Sequence, residues 1–115
     1  MRTSSAKAKG RRACQDVALL LYKYTPSLKP GDIDITSSGV TGEDIRLSPA
    51  AREVYPFVIE CKNQESINIH KSYEQATTNK KIEPHLMPVV YYKRNTSELM
   101  VTMAAEDFVK LITER

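Results

Sequence analysis

The sequence predicts a mixed α/β (α+β) domain, one sheet flanked by helices, in the element order α-β-β-β-α-β-β-α. Three observations carry that prediction. Small and apolar residues recur at helical period near the start, several short segments alternate apolar with polar side chains as strands do, and proline and glycine punctuate the intervals between them.

The elements follow in order. Over residues 9–24, Ala13, Cys14, Val17, Ala18, Leu20 and Leu21 share one broad face, which predicts a helix. Residues 1–8 are then expected to form a flexible basic arm ahead of a single domain spanning 9–115. Leu19 and Tyr22 fall opposite the stripe, as a lightly covered second face or part of a dimer contact. Pro26, Pro30 and Gly31 end the helix. Residues 32–36 alternate around Ile33 and Ile35, a short strand running into the turn-prone Ser37-Ser38-Gly39. Residues 44–47 alternate again, with Asp44 and Arg46 on one face and Ile45 and Leu47 on the other. Ser48-Pro49-Ala50-Ala51 reads as an N-cap, a proline at the first helical position and good helix formers, hence one or two helical turns inside a strand connection. Residues 55–62 are the strongest strand, with Phe57, Val58 and Ile59 at its centre. A polar, moderately amphipathic helix is predicted over 68–81. Strands over 89–92 and 98–103 follow, joined by a polar turn. A last helix over 106–113 is expected to turn Phe108, Leu111 and Ile112 inward.

Composition narrows the classes of function. With 115 residues, 41% hydrophobic and 27% charged, the chain has the make-up of one globular domain and not of a disordered segment. No apolar run approaches the ~20 residues that cross a bilayer, and the run at 17–22 is too short and lacks a cleavage site, so neither membrane span nor secretory leader is expected. Cys14 and Cys61 stand far apart, with no CxxC pair and only two histidines. Neither a structural zinc site nor a disulfide framework is expected, which points to a reducing, cytoplasmic setting. Charge is unevenly placed. Arg2, Lys7, Lys9, Arg11 and Arg12 give the first twelve residues +5 with no acid, leaving twelve basic against fourteen acidic residues, or −2, for the rest. A basic arm on a slightly acidic body suggests a polyanionic partner, or simply a solvated terminus.

Chemistry concentrates at Asp44, Glu60 and Lys62. Period two sends Glu60 and Lys62 to one face of the strongest strand and Ile59 and Cys61 to the other. If the strands at 44–47 and 55–62 pair antiparallel with Asp44 opposite Glu60, the connection centres on Arg52. The two carboxylates then share a face with Cβ atoms about 5 Å apart. Carboxylates that close need a cation between them, and hard oxygen ligands favour Mg²⁺, with Mn²⁺ as substitute. Lys62 beside them can hold an attacking water or stabilise the transition state of phosphodiester hydrolysis. An acid two residues before a lysine arises by chance in a chain this rich in both, and the plain alternative is a surface salt bridge. The weight lies in the apolar strand leading into it and the upstream acid.

Those residues, with Gly10-Arg11-Arg12, the stretches 42–52 and 55–63 and the later Ser72-Tyr73-Glu74-Gln75-Ala76, resemble the PD-(D/E)XK nuclease superfamily. The likeness is closest to its small phage and archaeal Holliday junction resolvase-like members and covers residues 9–114. It implies Asp44 and Glu60 as metal ligands, the Cys61 carbonyl as a third, Lys62 as the catalytic lysine and Gln75 as a catalytic-site glutamine, against the alternative of a solvated helix residue. It also implies Ser38 as a phosphate contact, or else a plain turn residue. The chain departs from the pattern at Glu43, where the superfamily's name has proline. It departs again on the first helix, where relatives carry a metal-binding glutamate and the candidates here are Gln15 and Asp16. Gln15 fits the spacing after Gly10 better and would orient a bound water. Asp16 is alternatively a solvent-facing acid.

The expected function is therefore a Mg²⁺-dependent DNA endonuclease selective for branched DNA, a four-way junction foremost, acting as a homodimer because resolution needs paired cuts. Lys7, Lys9, Arg11 and Arg12 would bind phosphates. The alternatives are a nickase or restriction-like nuclease on linear or damaged duplex, and a non-catalytic nucleic-acid-binding module. His70 and His85 are expected at the surface, and no glycine loop fits a phosphate cradle.

Overall fold

The computed structural model describes residues 3–36, 43–80, 84–95 and 97–114. Nine elements succeed one another: α1 (Thr3–Tyr24), β1 (Ile33–Ile35), β2 (Ile45–Leu47), α2 (Pro49–Val54), β3 (Phe57–Asn63), α3 (Ile69–Lys80), β4 (Met87–Lys93), β5 (Met100–Met103) and α4 (Ala105–Thr113). The mixed α/β class and the element order agree with the sequence reading. The helix inside the β2–β3 connection is α2, with Ser48 as N-cap, its hydroxyl accepting from the Ala51 amide at 3.1 Å, and Pro49 at the first position.

The strands form one five-stranded sheet in the order β1-β2-β3-β4-β5, antiparallel except for the central β3–β4 pair. Parallel strands require a crossover, and α3 supplies it. Period two then splits β3 between two layers. Phe57, Ile59 and Cys61 pack with Ala13, Cys14, Val17, Ala18 and Leu21 of α1 and with Val89 and Tyr91 of β4 in the main core. Val58, Glu60 and Val90 face the other way, where α3 presents its buried Ser72 and Ala76.

Local chemistry explains the shorter pieces. Lys29-Pro30-Gly31-Asp32 is a type II turn: the Asp32 amide donates to the Lys29 carbonyl at 3.0 Å, and Gly31 takes the φ of +96° that this turn requires at its third position. Asn68 caps α3 by accepting from the Lys71 amide at 3.0 Å. Tyr22, one of the two residues opposite the apolar stripe of α1, folds its hydroxyl onto the Ile33 amide at 3.1 Å and so anchors β1. The other, Leu19, remains exposed.

Three expectations are corrected. α1 begins at Thr3, so residues 3–8 belong to the helix and not to an irregular arm. Ala, Lys and Ser in that stretch oppose no helix strongly enough to start it later. Leu20, assigned to the buried face, is 37% exposed, because at 3.6 residues per turn it lies at the margin of the face set by Ala13, Cys14, Val17, Ala18 and Leu21. In α4 only Leu111 packs against the core, whereas Phe108 and Ile112 are 52% and 49% exposed. α4 follows the edge strand β5, so little of the sheet remains for its apolar side to cover.

Candidate functional site

The site is built where β2 begins. Ile45 pairs with Ile59, the register that centres the connection on Arg52 and that would set Asp44 across from Glu60 if the ladder ran on. The ladder ends there. At Asp44 the chain bends: its amide donates to the Ile59 carbonyl at 3.0 Å, and its carboxylate Oδ2 accepts the Cys61 amide at 2.8 Å. The carboxylate thus stands where a strand carbonyl would, at the open side of β3. This corrects the expectation that strict alternation would carry the Asp44 side chain to Glu60's face. A bend replaces the pleat, because the side chain can satisfy the Cys61 N–H that the shortened β2 leaves exposed. In a strand, the N–H and C=O of one residue point the same way, so the Cys61 carbonyl is also directed to this open side.

Glu43, where the superfamily pattern has proline, has a definite place. Arg52 of α2 holds both Glu43 oxygens at 3.0 Å through Nη2 and donates through Nη1 to the Phe57 carbonyl at 2.9 Å. The bidentate pair is about one fifth exposed on each side and fastens the segment carrying Asp44 to the start of β3. No periodicity in the sequence signals it, because it joins a loop to a helix.

Glu60 is buried on the α3 face of β3, at 6% exposure. A carboxylate in such a place is costly to keep for packing alone. Lys62, two residues on, is half-buried. Burial raises the Asp44 carboxyl above the ordinary carboxylate range, opposed by the Cys61 amide and by the positive charge of Lys62, which lies near enough to act on it. Cys61 is shifted further. Interaction with the Cys14 thiol, burial, and then the negative charges of Asp44 and Glu60 push its thiol well above the usual value. Both carboxylates therefore act electrostatically on one sulfur. The sulfurs of Cys14 and Cys61 and a carboxylate oxygen of Asp44 lie within 4.8 Å of one another, a convergence from three separate elements that spacing along the chain concealed.

The remaining residues divide. Asn63, at the end of β3, donates to the Lys9 carbonyl at 3.5 Å and so brings the basic start of α1 to the site's end of the sheet. Arg11 and Arg12 are exposed there, Lys9 is half-buried, and Lys7 is on α1 with its side chain outside those described. Asp16 pairs with Lys93 of β4 at 3.3 Å instead of facing only solvent. Gln15 is exposed beside it, off the face that meets β3, and Gln75 is exposed on α3. Ser38 lies outside the described residues. His70 and His85 are exposed. No helix among the described residues is long and apolar enough to cross a membrane.

The donor chemistry suits two kinds of cation. Asp44, Glu60 and the Cys61 carbonyl offer hard oxygens of the kind Mg²⁺ takes. Cys14 and Cys61 offer soft sulfur next to the same Asp44. Comparison with protein-family models, with curated proteins and with solved structures finds no match to this chain.

Proposed function

We propose that the protein is a metal-dependent DNA endonuclease that hydrolyses phosphodiesters, selective for branched DNA such as a four-way junction, and that it acts as a homodimer. One observation carries the reading: the Asp44 carboxylate, held on the Cys61 amide at 2.8 Å, lies beside the strand that carries Glu60 and Lys62, with the Lys62 charge acting on it. Asp44, Glu60 and the Cys61 carbonyl are the residues that would hold Mg²⁺ or Mn²⁺. When bound, the ion supplies Lewis-acid polarisation of the scissile phosphate and offsets its charge. The chain's own residues do the rest. Lys62 donates to a phosphate oxygen or holds the attacking water, and the Cys61 amide fixes the Asp44 carboxylate by one oxygen, leaving the other to serve the site. Lys9, Arg11 and Arg12 bind phosphates without reading base edges, in keeping with choice of substrate by shape. The exposed apolar residues of α4 and β5, Phe108, Val109, Met100 and Val101, support pairing of two copies.

The test is cleavage of labelled four-way junctions and of their linear arms with Mg²⁺. Asp44→Asn and Lys62→Ala are each expected to lower the rate by at least about a hundredfold. Undiminished cleavage by either variant removes that residue from the site, and equal cutting of junction and linear duplex favours the nickase or restriction-like alternative. The in-line position of the Asp44 carboxylate, off Glu60's face, favours a second reading, a nucleic-acid-binding module without catalysis. Mg²⁺-independent binding with no product at any enzyme concentration is its signature.

A further inference from the structure

We propose that Cys14, Cys61 and Asp44 form a binding site for a thiophilic divalent ion, Zn²⁺ foremost, distinct in chemistry from the oxygen site yet sharing one carboxylate with it. The two thiols and one Asp44 oxygen lie within 4.8 Å of one another. Tetrahedral zinc, with bonds of about 2.3 Å to sulfur and 2.0–2.2 Å to oxygen, sets its ligand atoms about 3.5–3.8 Å apart. Side-chain adjustments on the order of 1 Å close the difference. Three elements supply the ligands: α1 brings Cys14, the bend before β2 brings Asp44, and β3 brings Cys61.

Two buried thiols could be ordinary core residues, since cysteine packs as a small hydrophobe. The half-buried carboxylate beside them argues otherwise. It is held by the amide of one of the same cysteines, at 2.8 Å, which is how an outer hydrogen bond orients a ligating carboxylate. Donor softness decides the ion. Mg²⁺ does not take thiolate, whereas Zn²⁺ takes both sulfur and carboxylate oxygen. Two thiolates and a carboxylate leave the zinc site at −1, and the Lys62 charge, which already acts on Asp44, offsets it. Cys14 and Cys61 are 7% and 6% exposed and Asp44 is half-buried, so an ion would enter from the Asp44 side.

The consequence for activity rests on the endonuclease reading, while the site does not. Zinc on the sulfurs would engage Asp44 and withdraw it from the Mg²⁺ set, so zinc would inhibit Mg²⁺-supported cleavage. The experiment titrates the full chain with Co²⁺ as zinc's spectroscopic stand-in and reads the near-ultraviolet sulfur-to-cobalt charge-transfer band. The expected result is a band saturating at one ion per chain, displaced by Zn²⁺ and abolished in Cys14→Ser/Cys61→Ser. No band in the folded wild-type protein, or a full band in that double variant, overturns the site. Should the double variant fail to fold by circular dichroism, Asp44→Asn carries the test. Its Co²⁺ affinity should fall by at least about tenfold with the band retained, and an unchanged affinity removes Asp44 from the ligand set. Zinc is also expected to inhibit cleavage by wild type and to spare Cys14→Ser. A normal cobalt band in a protein that never cuts DNA sinks the nuclease and leaves the sulfur site standing; normal cutting without a band does the reverse.

Discussion

Asp32 and Asp44 are carboxylates shifted in opposite directions, and the reasons are local. Asp32 accepts the Lys29 amide at 2.6 Å and the Ser48 hydroxyl at 2.8 Å, and its carboxyl lies below the ordinary value chiefly through the Lys29 bond and then the Ser48 bond. Its contribution to stability is present above the unfolded pKa near 3.8 and is lost as pH falls through the lower folded value. Asp44 is raised, first by burial. Its folded state is favoured while protonated, so stability declines as pH climbs from below 3.8 through the raised value. Asp44→Asn keeps an oxygen for the Cys61 amide and removes the charge. Urea unfolding of wild type and variant between pH 3 and pH 7 should show a gap that opens with rising pH, the variant becoming the more stable. A constant gap, or one favouring wild type at neutrality, contradicts the burial argument. A carboxylate that weakens the fold while ionised is in keeping with the role proposed for Asp44.

At the level of elements, the decisive feature is how short β2 is. Three residues give it a single register contact with β3, so something else must hold the preceding bend in place. Arg52 does so, through the Glu43 fork and the Phe57 carbonyl, and Ser48 caps the helix that presents it. Arg52→Ala leaves a half-buried carboxylate and a backbone carbonyl without this donor, and should cost about 1.5–3 kcal/mol. Lysine cannot reproduce the fork, so Arg52→Lys should recover only part of it. Denaturant midpoints at unchanged slope are the measure. A loss under about 0.5 kcal/mol would show the pair to be no better than an exposed salt bridge.

For the molecule as a whole, asymmetry of cover is the main property. α1 and α3 sandwich the centre of the sheet, but the β5 edge and α4 retain Met100, Val101, Phe108 and Val109 at 47–55% exposure. At the other extreme, α1 runs 22 residues, about 33 Å, and carries the basic residues at its start. On the proposed reading, the basic start of α1 meets phosphates and the β5–α4 flank meets a second copy. If two copies pair through α4 and β5, the double variant Phe108→Glu/Val109→Lys should sediment as a monomer where the wild-type protein sediments as a dimer. An interface of this kind needs roughly 1,000 Å² or more, so the loss should be complete at micromolar concentration. A wild-type monomer, or an unaltered dimer in the variant, rules out this flank.

Local interactions made much of this protein readable from its residues in order. The Ser48-Pro49 start of α2, the Pro30-Gly31 turn, the period-two strands and the α1 stripe depend on neighbours within a few positions, and their physics is written in composition and spacing. The Ile45–Ile59 register was legible for the same reason, since the helix centred on Arg52 sets the length of the connection. Folding in three dimensions decided the rest. Whether Asp44 follows the pleat or bends onto the Cys61 amide depends on where β2 begins, and whether α4 is covered depends on how far the sheet extends beneath it. The meeting of Cys14 with Cys61 required α1 to cross β3 at one particular turn. Contacts between residues far apart along a chain are set by packing, and packing is a property of the assembled layers that no window of sequence contains.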